Sequence, residues 1–388
     1  LTGIGVTGNF QQKAAQNEFI QKYRQELIHQ GASQANGPTA LKIELQQLNR
    51  SPAAYNHWFA AELPVLSGQR PATNNNAGAN YRIAVLNGSA KPDYLDAVNR
   101  TEHQNELLAQ HKLSSYYPQG LLFTDQELQT MPAETAKLVR EWFPTFYVRG
   151  FDYLQYLFQQ NIPFYLLLIG IIVSGGLFAK ELAHQRAHAN WLRLQGEGWG
   201  TQIAVQFLTI GLTTVEIVLL PLLLTTLVTG CLNGFGSLQF PVINVTYQNA
   251  LNSFAEDFTT SGQLIFHSIA LLLLLIALVT AFNIVTALIA KNAWITTAIV
   301  LLVTASALIM PPIPWLPLSF FNVWEIASGT IAQSTALPEM QLASGIRIIM
   351  VWLLGLLAAT AIGSLNFTHH SSFKASSKAD AAENERSY

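Results

Sequence analysis

Two histidines four residues apart are the first candidates for chemistry in this chain. His184 and His188 would lie on one face of a helix, at the spacing that zinc proteases use to bind their metal. Those enzymes also need a glutamate directly after the first histidine to activate water, and Gln185 occupies that position here. Arg186 and Lys180 add positive charge close to any divalent cation. We therefore interpret the segment as an amphipathic helix rather than a metal site.

Other motifs of catalysis are also missing from the sequence. There is no phosphate-binding loop of the GxxxxGK[ST] type, no GxSxG elbow and no paired-cysteine motif, and Cys231 is the only cysteine. We therefore expect that the chain is not an enzyme and that it binds no cofactor or metal itself. Its net charge of −2 gives no reason to expect a nucleic-acid partner.

Glu216 is the most informative acidic residue, because it lies near the middle of a long apolar run with Pro221 one turn later. A carboxylate within a membrane is costly unless it is paired, protonated or facing water. Two interpretations stay open. The residue could line a polar path for substrate or a contact between helices that move against each other. Alternatively, it could be held by a buried hydrogen bond to Asn283, Gln206 or a nearby threonine.

The apolar run that contains Glu216 is one of five after residue 160. These runs are Pro163–Ala179, Ile203–Gly230, Leu264–Ala290, Ala293–Met310 and Ile346–Gly363. Each approaches or exceeds the roughly 20 residues that a helix needs to cross a bilayer. The sequence thus predicts an all-α integral membrane protein, with residues 161–366 forming a bundle of five transmembrane helices. The proline-rich stretch Pro311–Phe321 cannot be a straight span and is expected to lie at the membrane surface.

The first run contains the pattern Gly170-Ile-Ile-Val-Ser174, with small residues at both ends. Small residues four positions apart let two helices approach closely in a membrane. We expect Gly170 and Ser174 to pack against another helix, either within the bundle or across a dimer.

Positive charges between the runs alternate from loop to loop. Lysine and arginine occur in residues 180–193, at Lys291 and in residues 374–386, and are absent from residues 231–262 and 311–345. Since basic loops mark the cytoplasmic side, residues 1–160 are predicted to be extracellular and the C-terminus cytoplasmic. Residues 180–200 then form a cytoplasmic helix, and residues 367–388 a disordered tail. The first residue is Leu1 and no signal sequence precedes the outer domain, so we expect an upstream span that would bring the total to six.

The outer domain, residues 1–160, carries 13 of the 21 lysines and arginines and is predicted to be mostly helical. One helix should cover Gly8–Gln30 and end at Gly31, and another should cover Pro92–Leu113. Thr124-Asp-Gln-Glu127 is a capping-box pattern that opens a third helix. Residues Tyr81–Leu86 could form one short strand.

Three local patterns then carry a resemblance. The first run ends in Phe178-Ala-Lys-Glu181, the following stretch contains Trp191-Leu-Arg-Leu194 with Gly196 to Gly200, and the third pattern is the outer-loop segment Gly234–Pro241. In this order, after an outer domain, they resemble the membrane subunit of type-2 ABC exporters of Gram-positive bacteria. The resemblance covers about residues 145–366.

The resemblance implies a dimer of membrane subunits, identical or different, in the bacterial cytoplasmic membrane. Two separate ATPase subunits would bind ATP on the cytoplasmic side. Glu181 corresponds to a glutamate of the family, and Arg186, Trp191 and Arg193 would complete the contact that couples this chain to the ATPase. Membrane lipid would surround the bundle, and the cargo would be a peptide or an amphiphile.

One other class of protein fits the same pattern of spans. A non-transporting polytopic membrane protein, with an extracellular sensor or receptor domain, would also combine a polar outer domain with apolar runs. An ABC ATPase encoded beside this chain would favour the exporter.

Overall fold

The computed structural model describes residues 2–37, 39–66, 93–183, 199–248 and 250–362 of the 388-residue chain. Helices dominate these residues, and they contain one two-stranded sheet. The predicted strand at Tyr81–Leu86, residues 184–198 of the predicted cytoplasmic helix and the tail 367–388 all lie outside the described residues.

The chain divides into two compact units. The first comprises Leu1–Tyr156, Thr225–Asn244 and Glu256–Gln263, and the second comprises Leu157–Leu224, Val245–Ala255 and Leu264–Tyr388. The helices that come first along the chain are α1 (Thr2–His29), α2 (Thr39–Arg50), α3 (Pro52–Leu66), α4 (Asp93–Gln110), α5 (Asp125–Thr130), α6 (Ala133–Trp142) and α7 (Gly150–Gln159).

Helix α1 ends at His29, and Gly31 terminates it as the sequence predicts. This residue has φ +100°, a left-handed conformation that glycine adopts without steric cost. The amide of Ala32 donates to Leu27 O at 3.0 Å, and the amide of Gly31 donates to Ile28 O at 3.0 Å. These two bonds form a Schellman motif, which satisfies carbonyl groups that the helix end would otherwise leave unpaired.

The predicted capping box at the start of α5 is also confirmed. The amide of Glu127 donates to Thr124 Oγ1 at 3.3 Å, and the amide of Thr124 donates to Glu127 Oε2 at 2.8 Å. The Glu127 carboxylate additionally accepts hydrogen bonds from Arg100 on α4. Arg100 Nη1 donates to Glu256 Oε2 at 2.8 Å, so one guanidinium joins the capping box to a segment 156 residues away.

Two clusters of buried apolar side chains hold the helices of the first unit together. The cluster between α1, α2 and α3 consists of Tyr23, Leu27, Ala32, Leu41, Leu48 and Tyr55. The cluster that joins α3, α4 and α6 consists of Phe59, Leu63, Ala97, Val98, Leu121, Val139 and Phe143.

The remaining elements include the long apolar helices. They are α8 (Ile162–Ser174), α9 (Leu177–Ala183), α10 (Trp199–Asn233), β1 (Pro241–Gln248), β2 (Ser253–Thr260), α11 (Ser261–Ala290), α12 (Ala293–Ala305), α13 (Val323–Ala327), α14 (Thr330–Thr335) and α15 (Leu342–Ile362). Among the described residues, four helical segments are long and apolar enough to cross a membrane: Ile162–Leu182, Gly200–Asn233, Ser261–Ala290 and Leu342–Ile362.

The apolar run Ala293–Met310 does not form a helix of that length, so the expected fifth span is not confirmed. Its helix ends at Leu308, after a final 3-10 turn that starts at Ser306. The 16 residues from Ala293 to Leu308 reach only about 24 Å, short of a hydrocarbon core of about 30 Å. Pro311 and Pro312 follow and cannot continue the hydrogen-bond pattern of a helix.

A β-hairpin occupies the loop before α11, where the sequence predicts only an outer loop. Strands β1 and β2 pair with each other, and Asn252 in the turn has φ +51°. The amide of Val245 donates to Ser328 O at 2.7 Å, which ties β1 to the end of α13. The hairpin thereby fixes the position of the short helices that precede α15.

Glu62 gives the first unit a pH dependence that can be measured. It is only 6% exposed, and its burial, reinforced by the charge of Glu44, raises the pKa of Glu62 from 4.5 to about 7. The folded state therefore keeps a proton that the unfolded chain releases between these two values. Stability from this group is complete below pH 4.5 and is lost as pH rises through about 7.

We expect the free energy of opening of α3 to fall between pH 5 and pH 8 in the wild-type chain. Glu62→Gln, which is neutral throughout, should remove most of this fall. Hydrogen exchange of α3, corrected for the intrinsic rate at each pH, measures the effect. Glu106→Gln, on the exposed side of α4, is the matched control. An unchanged pH profile in Glu62→Gln would contradict the assignment.

Candidate functional site

Gly170 and Ser174 lie at a close contact between α8 and α10. A Cβ atom on Gly170 would come within 2.9 Å of Thr214 Cγ2, closer than side chains tolerate. Ser174 Oγ donates to Gly170 O at 2.7 Å and lies 3.1 Å from Thr214 Oγ1. The two small residues therefore let α10 approach α8 within the same chain, with a buried hydroxyl pair at the point of contact.

A second close approach involves the glycines that separate α8 from α9. A Cβ atom on Gly176 would lie 3.1 Å from Ala293 Cβ, and one on Gly175 would lie 3.3 Å from Thr297 Oγ1. Both neighbours belong to α12. The break between α8 and α9 is thus packed directly against the short apolar helix.

Glu181 lies on α9, where it reaches α10. Its carboxylate is exposed and accepts a hydrogen bond from Gln206 Nε2. A cluster of buried apolar side chains also joins α9, α10 and α11, and it consists of Phe178, Ala179, Leu182, Ile210, Ile284, Ala287 and Leu288. The other residues predicted to contact an ATPase, namely Arg186, Trp191 and Arg193, lie outside the described residues.

Glu216 lies on the exposed face of α10, at the centre of the helix. It is the seventeenth residue of a 34-residue candidate span, so it lies near mid-depth if α10 crosses a bilayer symmetrically. Leu212 and Leu220, one turn before and one turn after it, are 64% and 46% exposed. The carboxylate accepts no hydrogen bond from any residue that the structure describes, so the bond to Asn283 or Gln206 that the sequence suggests is not formed there.

Asn283 lies elsewhere, inside the bundle on α11. It is 2% exposed, and its Oδ1 atom has no hydrogen-bond partner among the described residues. The structure therefore does not bring Asn283 and Glu216 together. Gln206, the other suggested partner of Glu216, binds Glu181 instead.

The four candidate spans differ sharply in how far the chain itself covers them. In their most apolar 18-residue windows, 61% of the residues are buried for Ile162–Leu182 and for α11, against 22% for α10 and 17% for α15. The first and third spans are thus enclosed by this chain. The exposed surfaces of α10 and α15 remain for lipid or another protein.

A cleft in the first unit is a second candidate for binding. It has a volume of about 530 Å³ and lies between α1 and α6. Its lining combines aromatic rings with charged groups and consists of Phe19, Lys22, Tyr23, Gln25, Glu26, His29, Glu141 and Trp142. Phe19 stacks on Tyr23 with ring centroids 5.9 Å apart, and Trp142 meets Tyr23 edge-on at 6.3 Å.

Sequence reasoning identified the positions of Gly170, Ser174 and Glu181 but not their partners. Thr214 and Gln206 belong to no recognisable motif. Their contacts depend on how α10 is rotated about its own axis, and the sequence does not reveal that rotation. The aromatic cleft was also missed. The spacing of Phe19, Tyr23 and Glu26 on one face of α1 was the available signal.

Comparison with protein-family models, with curated proteins and with solved structures found no match to this chain. Among the described residues, no group of three histidines, cysteines, aspartates or glutamates is placed to hold a metal ion.

The contact of Gly170 with Thr214 can be tested by adding volume. Gly170→Leu should destabilise the chain by about 1–3 kcal/mol, because α8 and α10 would have to separate. Gly355→Leu on α15 is the matched control, since a Cβ atom there would meet nothing within 4 Å. Thermal unfolding in detergent compares the two variants. Equal midpoints for both variants and the wild-type chain would contradict the close contact.

Proposed function

We propose that this chain is the membrane subunit of an ABC-type exporter that uses a separate ATPase subunit. It would move a peptide or an amphiphilic molecule across the cytoplasmic membrane of a bacterium. In this proposal residues 1–160 are extracellular and the C-terminus is cytoplasmic, so the short helix Ala293–Leu308 crosses the membrane together with the four longer candidate spans.

The exposed carboxylate of Glu216 is the observation that carries the proposal. An ionised carboxylate facing hydrocarbon at mid-depth costs several kcal/mol, so such residues face water, a partner group or another helix. The described part of this chain supplies none of these on the Glu216 side of α10. A second membrane subunit would supply them, together with a hydrated path for cargo where the two subunits meet.

Helix α10 also offers a route by which ATP-driven motion could reach Glu216. Gln206 binds Glu181 at one end of α10, next to the segment predicted to contact the ATPase. Glu216 follows ten residues later on the same helix, a rise of about 15 Å. A displacement of residues 180–200 would therefore move the helix that carries Glu216, which is the coupling that an exporter needs.

A second candidate function is a membrane receptor that transports nothing. The aromatic cleft between α1 and α6 favours it, because a cleft of about 530 Å³ that combines rings with charged groups suits a small organic ligand. An exporter could use the same cleft to select cargo. The two functions differ in whether an ATPase binds.

If an ABC ATPase is encoded beside this chain, co-expression of the two proteins tests the proposal. The ATPase should co-purify with the tagged wild-type chain and hydrolyse ATP in the complex. The double substitution Glu181→Lys and Trp191→Ala should reduce the retained ATPase about tenfold or more, because charged and aromatic contacts dominate interfaces of this kind. Quantitative blotting of the purified complex measures this.

Trp294→Ala is the matched control, because it removes an indole outside residues 180–200 that is 86% accessible, at the start of α12. It should leave the retained ATPase unchanged. The exporter is excluded if the wild-type chain retains no ATPase. An unchanged complex in the double variant would instead exclude residues 180–200 as the coupling element.

A further inference from the structure

A cleft at the start of α15 combines an apolar wall with a single cation. Its volume is about 470 Å³, within the range of about 300–1,000 Å³ typical of small-molecule sites. It is bounded by α15, by the proline-rich stretch before α13 and by Glu339. Trp352 Nε1 donates to Trp315 O at 3.1 Å, which joins α15 to that stretch and shapes the cleft.

The part of the cleft formed by α15 changes from polar to apolar along the helix. Ser344, Arg347, Ile348, Val351 and Trp352 all line the cleft and follow the spacing of one helix face. Ser344 and Arg347 lie in the first two turns. Val351 and Trp352 follow about 12 Å from Ser344, towards the middle of a candidate span. This order matches a molecule with a polar head and an apolar tail.

Arg347 is the only charged residue in Leu342–Ile362. Its side chain is exposed and makes no ion pair or hydrogen bond with any residue that the structure describes, although Glu339 lines the same cleft. A guanidinium at this depth extends towards the lipid headgroups, where a phosphate is the natural bidentate partner. The cleft thus presents an available cation above an apolar wall.

We propose that this cleft is a specific phospholipid site. The lipid phosphate binds Arg347 and Ser344, and one acyl chain lies on Val351 and the indole of Trp352. The site takes its lipid from the leaflet in which α15 begins. It goes beyond the exporter proposal and does not depend on an ATPase.

Aromatic anchoring alone would explain the tryptophans differently. Trp315 and Trp352 are 66% and 41% exposed, and tryptophans commonly lie at membrane interfaces without binding any lipid specifically. Such anchoring predicts no saturable binding, no preference for an anionic headgroup and no dependence on Arg347. The two explanations therefore differ in three measurable properties.

Native mass spectrometry of the full chain, titrated with phosphatidylglycerol in detergent, provides the test. The wild-type chain should bind the lipid saturably. Arg347→Gln should weaken binding about tenfold or more, the loss expected for a hydrogen bond between charged groups. Val351→Gln, at a side chain 68% exposed, should weaken binding without affecting folding.

Lys291→Gln is the matched control, because it removes a cation at the end of another candidate span and does not line the cleft. It should bind phosphatidylglycerol like the wild-type chain. Equal binding by Arg347→Gln and the wild-type chain would overturn the proposal. So would equal binding of diacylglycerol, which lacks the phosphate, or of glycerol phosphate, which lacks the acyl chains.

Discussion

A backbone that crosses a bilayer has to satisfy its hydrogen bonds within its own segment, and this constraint shapes most of the second unit. The break between α8 and α9 shows how little irregularity it permits. There the amide of Gly175 still donates to Ile171 O at 2.8 Å, and that of Lys180 donates to Gly176 O at 3.0 Å. Truly irregular backbone is confined to segments between the candidate spans, such as residues 311–322.

The same constraint separates the polar side chains into two kinds. Threonines such as Thr280 and Thr286 donate to the carbonyl four residues earlier, each at 2.8 Å, and need no partner on another helix. An ionised carboxylate has no proton to donate, and amides in the middle of a helix are already used. Glu216 accordingly accepts no hydrogen bond from α10 or from any other residue that the structure describes, and the proposed function gives it a polar environment from outside this chain.

Helix ends and apolar runs could be predicted from the sequence, because residues close together along the chain determine them. Gly31 and Thr124 each act within about five residues, and hydrophobicity over 18 residues identifies a span. The contacts between distant segments could not be predicted from the sequence. The hydrogen bond between Arg100 and Glu256 is the clearest example. The hairpin was missed although β1 is rich in β-branched residues, since its short strands lie in a loop between apolar runs. The helix of the fourth run was expected to be longer, because hydrophobicity continues past Leu308, where the helix ends.

The candidate site was partly predictable for the same reason. Glu216, Gly170 and Ser174 stand out by residue type, whereas Thr214 and Gln206 acquire importance only through the rotation of α10. The orientation of Glu216 away from Asn283 likewise depends on that rotation. Residue type thus identified the polar positions within the candidate spans, and the structure showed on which side of the helix each of them lies.

Water accessibility at position 216 tests this account most directly. Glu216→Cys, in a chain whose only native cysteine is replaced by Cys231→Ser, should react in intact membranes with a charged, impermeant thiol reagent, because thiolates form only where water reaches. Leu354→Cys on α15, a side chain 59% exposed in this chain, should not react, because the proposal places no hydrated path beside α15. Equal and negligible reaction at both positions would contradict a hydrated path beside Glu216.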